Sequence, residues 1–245
     1  MSVLRIEDLS IALPAGGERE YAVDGLSLNI ESGQTLCVVG ESGSGKSVMA
    51  MAVMGLLAHG LNVRRGSIEL HSEQLLQVSA QRWRQLRGVA MGMVFQEPMT
   101  ALNPVMSCGA QLDELLRFHT ELDAEQRRAE VLSMLERVKL PHAPEVARRF
   151  PHQLSGGQRQ RIVIAMAMML KPALLICDEP TTALDVTTQK EILALIQELQ
   201  REQGSAVLFI THDMGVVAEI ADRVLVMHQG RCVEAGAKHQ VLKTP

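Results

Sequence analysis

The sequence predicts an α/β fold with a mainly parallel core sheet, an antiparallel β edge subdomain and a helical subdomain. Three observations carry that prediction. Apolar runs alternate between strand and helix periods and are broken by Gly and Pro. Several strand candidates are apolar on both faces, as in a parallel sheet covered by helices. A middle stretch from Ser107 to about Val138 keeps only the helical period.

Taken in order, Val3 to Leu9 and Leu26 to Ile30 read as strands. In the second, Leu26, Leu28 and Ile30 alternate with Ser27 and Asn29, so one face meets water, which suits an antiparallel edge sheet. Thr35 to Val39 is a short buried strand that ends at Gly40, and a glycine-rich turn then opens a helix expected to run to about Leu57. Val89 to Phe95 is a further strand. In the helical stretch Leu112, Leu115 and Leu116, then Val131, Leu132, Leu135 and Val138, recur at helical spacing. After Pro151 a second glycine turn opens a helix that ends before Pro172. Ala173 to Cys177 is an apolar strand, and Thr187 to Gln203 is an amphipathic helix closed by Gly204. Val207 to Ile210 is another buried strand, and Val224 to Met227, Gln229-Gly230 and Cys232 to Glu234 form a hairpin. These elements make one domain, 1-245, with a helical subdomain at about 97-170 inserted in it.

The 245 residues are 47% apolar and 21% charged, with a net charge of -4, which excludes disordered and disulfide-scaffold classes. The longest apolar run, Ile162 to Leu170, falls well short of the ~20 residues of a membrane-spanning helix. Glu7 and Asp8 stand where an export signal needs its apolar stretch, so an intracellular protein is expected. Cys37, Cys108, Cys177 and Cys232 form no C-x-x-C pair and read as buried small apolar residues. A pI near 6.1 with scattered basic residues predicts no nucleic acid partner.

The chemistry begins at Gly40-Glu41-Ser42-Gly43-Ser44-Gly45-Lys46-Ser47, which satisfies G-x-x-x-x-G-K-[S/T] between a strand and a helix, the phosphate loop of the P-loop NTPase fold. Its glycines let backbone N–H groups turn inward, so Ser42 through Lys46 cradle phosphate oxygens at a helix N-terminus. Lys46 reaches the β and γ phosphates and the Ser47 hydroxyl binds Mg²⁺. Asp178-Glu179 ends an apolar strand expected beside that loop, where ligands of open α/β sheets bind. There Asp178 can hold the Mg²⁺ shell, and Glu179 can accept a proton from an attacking water.

Leu154-Ser155-Gly156-Gly157-Gln158 opens another helix N-terminus with a serine hydroxyl, a second anion site. This segment resembles the signature sequence of ATP-binding-cassette (ABC) ATPases. The resemblance implies that two such domains pack head to tail, with Ser155, Gly156, Gly157 and Gln158 of one closing on the γ-phosphate of ATP held by Lys46 of the other. It also implies that Gln96 touches Mg²⁺ and water, that Asp185 belongs to the loop crossing the dimer interface, and that His212 contacts the γ-phosphate. Glu179, His212, Lys46 and Gln96 are then the catalytic set, and Ser47, Gln96 and Asp178 the metal ligands. One position departs from the family. Leu13 stands where an aromatic usually stacks on adenine, and Tyr21 is the nearest aromatic.

The resemblance spans essentially the whole chain and narrows in four stretches: Phe95 to Pro104, Phe150 to Gln153 before the signature, Asp178 to Asp185, and His212 to Ala218. These look like the ATPase subunits of bacterial dipeptide, oligopeptide, glutathione and nickel importers. The implied function is to bind and hydrolyse ATP and couple hydrolysis to uptake of a peptide or related solute, with ATP and Mg²⁺ as cofactors. The implied partners are a second ABC ATPase, identical or related, two transmembrane permease subunits and, indirectly, a periplasmic or extracellular solute-binding protein. The implied location is peripheral, on the cytoplasmic side of the bacterial inner membrane. The segment after Gln96 and the helices to Val138 would receive a short helix from each membrane subunit. The rival reading is a soluble ABC ATPase acting on nucleic acid or ribosomes, although the chain shows no coiled-coil insertion, zinc module or basic surface. The subfamily usually continues past Lys243-Thr244-Pro245, so the resemblance leaves open a trimmed chain, the first half of a tandem ATPase or a shorter natural subunit.

Overall fold

The computed structural model describes residues 2–14 and 19–243, so Thr244 and Pro245 lie outside the described residues. Contacts divide the chain into two compact units, one running up to Arg87 and resuming at Gly204, the other from Gly88 to Gln203.

The first unit opens with β1 (Ser2–Ala12) and β2 (Tyr21–Glu31), antiparallel with Ile6 opposite Leu28. In β2, Leu26, Leu28 and Ile30 are buried while Ser27 and Asn29 are exposed, the alternation of a strand with one wet face. β3 (Thr35–Val39) is buried at every residue and delivers the chain through the phosphate loop into α1 (Lys46–Val53). β4 (Asn62–Leu70) pairs antiparallel with β1, and β5 (Glu73–Gln74) with β4, giving the order β2-β1-β4-β5. β4 escaped the sequence reading because Arg64, Arg65 and Gly66 are all exposed and break the alternation. α2 (Ala80–Leu86) is capped by Ser79, whose hydroxyl accepts from the Arg82 amide at 3.2 Å.

Helix α1 stops at Val53 rather than near Leu57, and the cause is tertiary. Gly55 takes φ +61°, and a Cβ there would meet the Trp83 ring at 2.5 Å. Arg87 then donates to the Met54 and Gly55 carbonyls at 2.9 and 2.8 Å, pairing the two carbonyls that directly follow the helix. Burial lowers the guanidinium's pKa.

In the second unit β6 (Met91–Val94) leads into α3 (Pro98–Ala101), α4 (Cys108–His119), α5 (Ala124–Arg137), α6 (Ala143–Arg148) and α7 (Gly156–Met168). Next come β7 (Leu174–Asp178), parallel to β6 with Cys177 opposite Val94, and α8 (Val186–Gln203). The long helical pattern splits because Asp123 starts a new helix. Its carboxylate accepts from the Glu125 and Gln126 amides at 2.9 Å, and Gln126 reaches back to the Asp123 amide. α7 lies directly on β6, since a Cβ on Gly92 would stand 2.2 Å from the Ala167 carbonyl oxygen. Ile162 to Ala165 and Leu174 to Cys177 form the centre of this unit's core.

The chain returns to the first unit with β8 (Ala206–Thr211), α9 (Met214–Ile220), β9 (Arg223–His228), β10 (Arg231–Ala237) and α10 (Lys238–Lys243). β3 pairs parallel with both β8 and β9, and β10 runs antiparallel to β9. β3 and β8 are buried at every residue, Thr35 and Thr211 included, because neither face of these strands meets water. The cysteine expectation needs one correction. Cys37, Cys108 and Cys177 are buried, with burial pushing the Cys37 thiol up to about 12 and Cys108 to about 11, but Cys232 is exposed. The reason is that Arg231, Cys232 and Val233 are exposed in succession, so β10 is uncovered on both faces there. Among the described residues no helix is long and apolar enough to cross a membrane.

Candidate functional site

In the first unit the loop between β3 and α1 closes around a lysine. Gly45 takes φ +102°, and a Cβ there would lie 2.3 Å from the Ala22 carbonyl oxygen, so glycine alone fits. Lys46 is 5% exposed. Its ammonium donates to the Gly40 and Glu41 carbonyls at 2.8 Å each and to the Ser44 hydroxyl at 3.4 Å. A buried lysine is rare unless paired, and this one places a positive charge within the curl of the loop. Glu41, Ser42, Gly43 and Ser47 remain exposed. α1 has no acidic residue in its first turn, so its N-terminus keeps its attraction for an anion.

His212 follows β8 and is exposed. Its neighbours are held on both sides: the Asp213 amide donates to the Thr211 hydroxyl at 3.0 Å, and the Asp213 carboxylate accepts from Gly215 at 2.7 Å, capping α9. Leu13, which the sequence resemblance sets where adenine is expected to stack, is half-buried and its amide donates to the Glu20 carbonyl at 2.9 Å. Tyr21 begins β2 opposite Ala12, with its phenol pKa raised by a hydrogen bond to Glu20.

In the second unit β7 ends at Asp178, which is 7% exposed, and Glu179 follows in the left-handed region at φ +48°. The Thr182 hydroxyl donates to the Glu179 carboxylate at 3.0 Å. Ser155 caps α7: its hydroxyl accepts from the Gln158 amide at 3.3 Å, while the Gln158 side chain accepts from the Ser155 amide at 3.0 Å. That pairing uses one acceptor position of the hydroxyl and leaves its proton for an anion. Gly157 is packed so closely that a Cβ would stand 2.7 Å from a Thr188 methyl. Asp185 caps α8, accepting from the Thr187 and Thr188 amides at 3.1 and 3.0 Å and from the Thr188 hydroxyl at 2.8 Å. These bonds, the Thr188 amide first, hold its carboxyl below the usual carboxylate range.

Gln96 is exposed just after β6 and lines a cavity of about 300 Å³ together with Gly156, Gln160, Pro180 and Leu184. A second cavity, of about 470 Å³, lies among α4, α5 and α6, with Asp113, Arg128 and Arg148 at its edge. Among the described residues no three His, Cys, Asp or Glu side chains form a metal cage. The Ser47 hydroxyl of the first unit, and the Gln96 amide oxygen and Asp178 carboxylate of the second, are each hard oxygen donors of the kind Mg²⁺ takes. Sequence reasoning missed two groups: Thr182, signalled only by a hydroxyl three residues after the glutamate, and Gly230, whose amide donates to the Ser44 carbonyl at 3.0 Å.

The chain is similar to known proteins in sequence and in fold. The family model described as ABC transporter matches residues 23–182. The glutathione import ATP-binding protein GsiA of Escherichia coli (strain K12) is 50% identical over 250 residues, covering 100% of this chain and 40% of that protein. Its counterpart in Salmonella choleraesuis (strain SC-B67) is 50% identical over 249 residues, with 99% and 40% covered. The chain therefore spans about 40% of the length of these curated relatives. Among solved structures, the ATP-binding cassette MJ0796, a dimer in a post-hydrolysis state bound to ADP and Pi, superposes with a TM-score of 0.84 at 28% identity, covering 96% of this chain and 98% of that one. The cbiO1 protein of Clostridium perfringens, part of the transporter complex cbiONQ, gives 0.83 at 28% identity, with 99% and 91% covered.

Proposed function

The chain belongs to the ABC transporter family, and from that premise we propose that it is the ATP-binding and ATP-hydrolysing cassette of a bacterial importer for glutathione, peptides or a related solute. The observation that carries this reading is the buried ammonium of Lys46 inside a glycine-walled loop at the start of α1. Gly40 to Ser47 would hold the phosphates of ATP. When bound, Mg²⁺ would neutralise phosphate charge, with Ser47, Gln96 and Asp178 as its protein ligands.

Glu179 would orient and deprotonate the attacking water, and Lys46 and His212 would stabilise charge on the γ-phosphate. Ser155 to Gln158 of a second cassette, identical or related, would close over that phosphate, aided by Asp185 at the interface. Hydrolysis would then reopen the pair. The cavity among α4, α5 and α6 supports the expected docking of two transmembrane permease subunits. Such docking would place the chain at the cytoplasmic side of the membrane, with a solute-binding protein acting on the far side. Relatives named for glutathione import favour this reading over a soluble factor acting on nucleic acid or ribosomes.

Nucleotide binding and phosphate release by three proteins test the proposal. The unmodified chain should bind MgATP and release phosphate, Glu179→Gln should bind and not turn over, and Lys46→Ala should lose binding. Near-normal turnover by Glu179→Gln would remove Glu179 from its role. Co-purification with two multi-span membrane proteins would support the importer assignment.

A further inference from the structure

We propose that the two-residue turn Gln229-Gly230, between β9 and β10, is the positioning element of the phosphate loop, with Gly230 as its point of contact. This inference rests on the nucleotide reading above.

The loop is a short run of glycines and serines that has to hold its N–H groups in one conformation, and glycine-rich backbone does not do so unaided. What holds it comes from the far end of the chain. The Gly230 amide donates to the Ser44 carbonyl at 3.0 Å, inside the loop, and the Gly230 carbonyl accepts from the Asp24 amide at 2.8 Å. Gly230 thereby bridges the loop to β2. The same hairpin touches the loop again at its start, where a Cβ on Gly40 would stand 2.2 Å from the Met227 carbonyl oxygen. Ala22 of β2 presses on both: its carbonyl oxygen would lie 2.3 Å from a Cβ on Gly45 and 2.9 Å from one on Gly230. Three backbones thus meet with no room for a side chain. Arg231 ties the turn to β2 through Asp24 at 2.7 Å.

The turn has a defined geometry. His228 pairs with Arg231 across it, and Gln229 and Gly230 take φ +47° and +86°, the pattern of a type I′ hairpin turn. The strand twist therefore sets where the Gly230 amide points. Phosphates bind to the loop's N–H groups only when they converge, so a shift of the turn is felt as a loss of affinity rather than of the chemical step.

The test compares Gly230→Ala with Gly33→Ala. Gly33 takes a similar φ of +70°, yet a Cβ there meets nothing within 4 Å, so it carries the backbone strain without the contact. Gly230→Ala should weaken MgATP binding on the order of tenfold, with kcat at saturation unchanged. Gly33→Ala should bind as the unmodified chain does. Equal weakening in both variants, or none in Gly230→Ala, would overturn the inference. Amide exchange on the unmodified chain decides the matter if Gly230→Ala does not fold. Saturating MgATP should slow exchange at the Gly230 amide and leave the Gly33 amide, which donates to the Gly204 carbonyl, unchanged. Slowing at both, or at neither, would overturn the proposal. An unmodified chain that binds no MgATP would overturn the nucleotide reading and this inference with it.

Discussion

The Thr182 hydroxyl donates to the Glu179 carboxylate at 3.0 Å, while the Glu179 backbone sits at φ +48°. A non-glycine residue in that region costs on the order of 1 kcal/mol or more, and such strain gathers where a side chain must be aimed. Thr182 also donates to the Glu179 carbonyl at 3.3 Å, so one hydroxyl holds both the turn and the carboxylate of the proposed base.

Removing that hydroxyl should affect turnover and spare binding. Thr182→Val is expected to lower kcat for ATP hydrolysis by about fivefold, the loss of one hydrogen bond worth ~1 kcal/mol, with the MgATP Kd unchanged. Thr182→Ser should restore it. A weaker Kd at normal kcat would argue against this orienting role.

Ser155 has two separable duties, as the cap of α7 and as the proposed anion contact. Aspartate caps about as well as serine, so Ser155→Asp should keep the thermal unfolding midpoint of the unmodified chain. Its carboxylate should repel a phosphate. By light scattering, Glu179→Gln alone should double its mass only with MgATP, and Ser155→Asp on that background should stay monomeric. Doubling by the double variant would separate Ser155 from the interface.

Asp185 gives a pH dependence with a definite sign. Its folded pKa is lowered, chiefly by the Thr188 amide, so its contribution is fully present above the unfolded value, about 3.9, and is lost as pH falls through the folded one. The unmodified chain should therefore unfold at a higher temperature than Asp185→Ala at neutral pH. The gap should narrow as pH drops below about 4. A gap that stays constant down to acid pH would contradict the assignment.

Gln160 offers a stabilising change. Its side-chain amide nitrogen is buried in α7 and has no hydrogen-bond partner among the described residues. Leaving a buried donor unpaired costs about 1–3 kcal/mol, and methionine has a similar length without the polar group. Gln160→Met should raise the unfolding free energy by about 1 kcal/mol, read from denaturant midpoints. A lower midpoint would mean that the amide finds a partner in solution.

The phosphate loop, the Asp178-Glu179 strand end and the Ser155 helix start were legible in the sequence because each is a local device: glycines and a cap within a few residues of one another set its backbone. The buried strands were legible for a related reason, since a strand covered on both faces has to be apolar throughout. β4 was not, because its exposed arginines hide the alternation, and neither was the early end of α1, which depends on Trp83 and Arg87 reaching Gly55 and Met54 from another helix and its C-terminal end. Cys232 read as buried by residue type and proved exposed, because burial depends on whether another segment covers β10. Gly230 and Ser44 lie in different segments of the unit's sequence, and only the pairing of β3 with β9 brings their backbones together. The sequence by itself determined which residues could hold a phosphate. Tertiary structure alone decided what holds those residues in place, because packing depends on contacts between segments that no local pattern encodes.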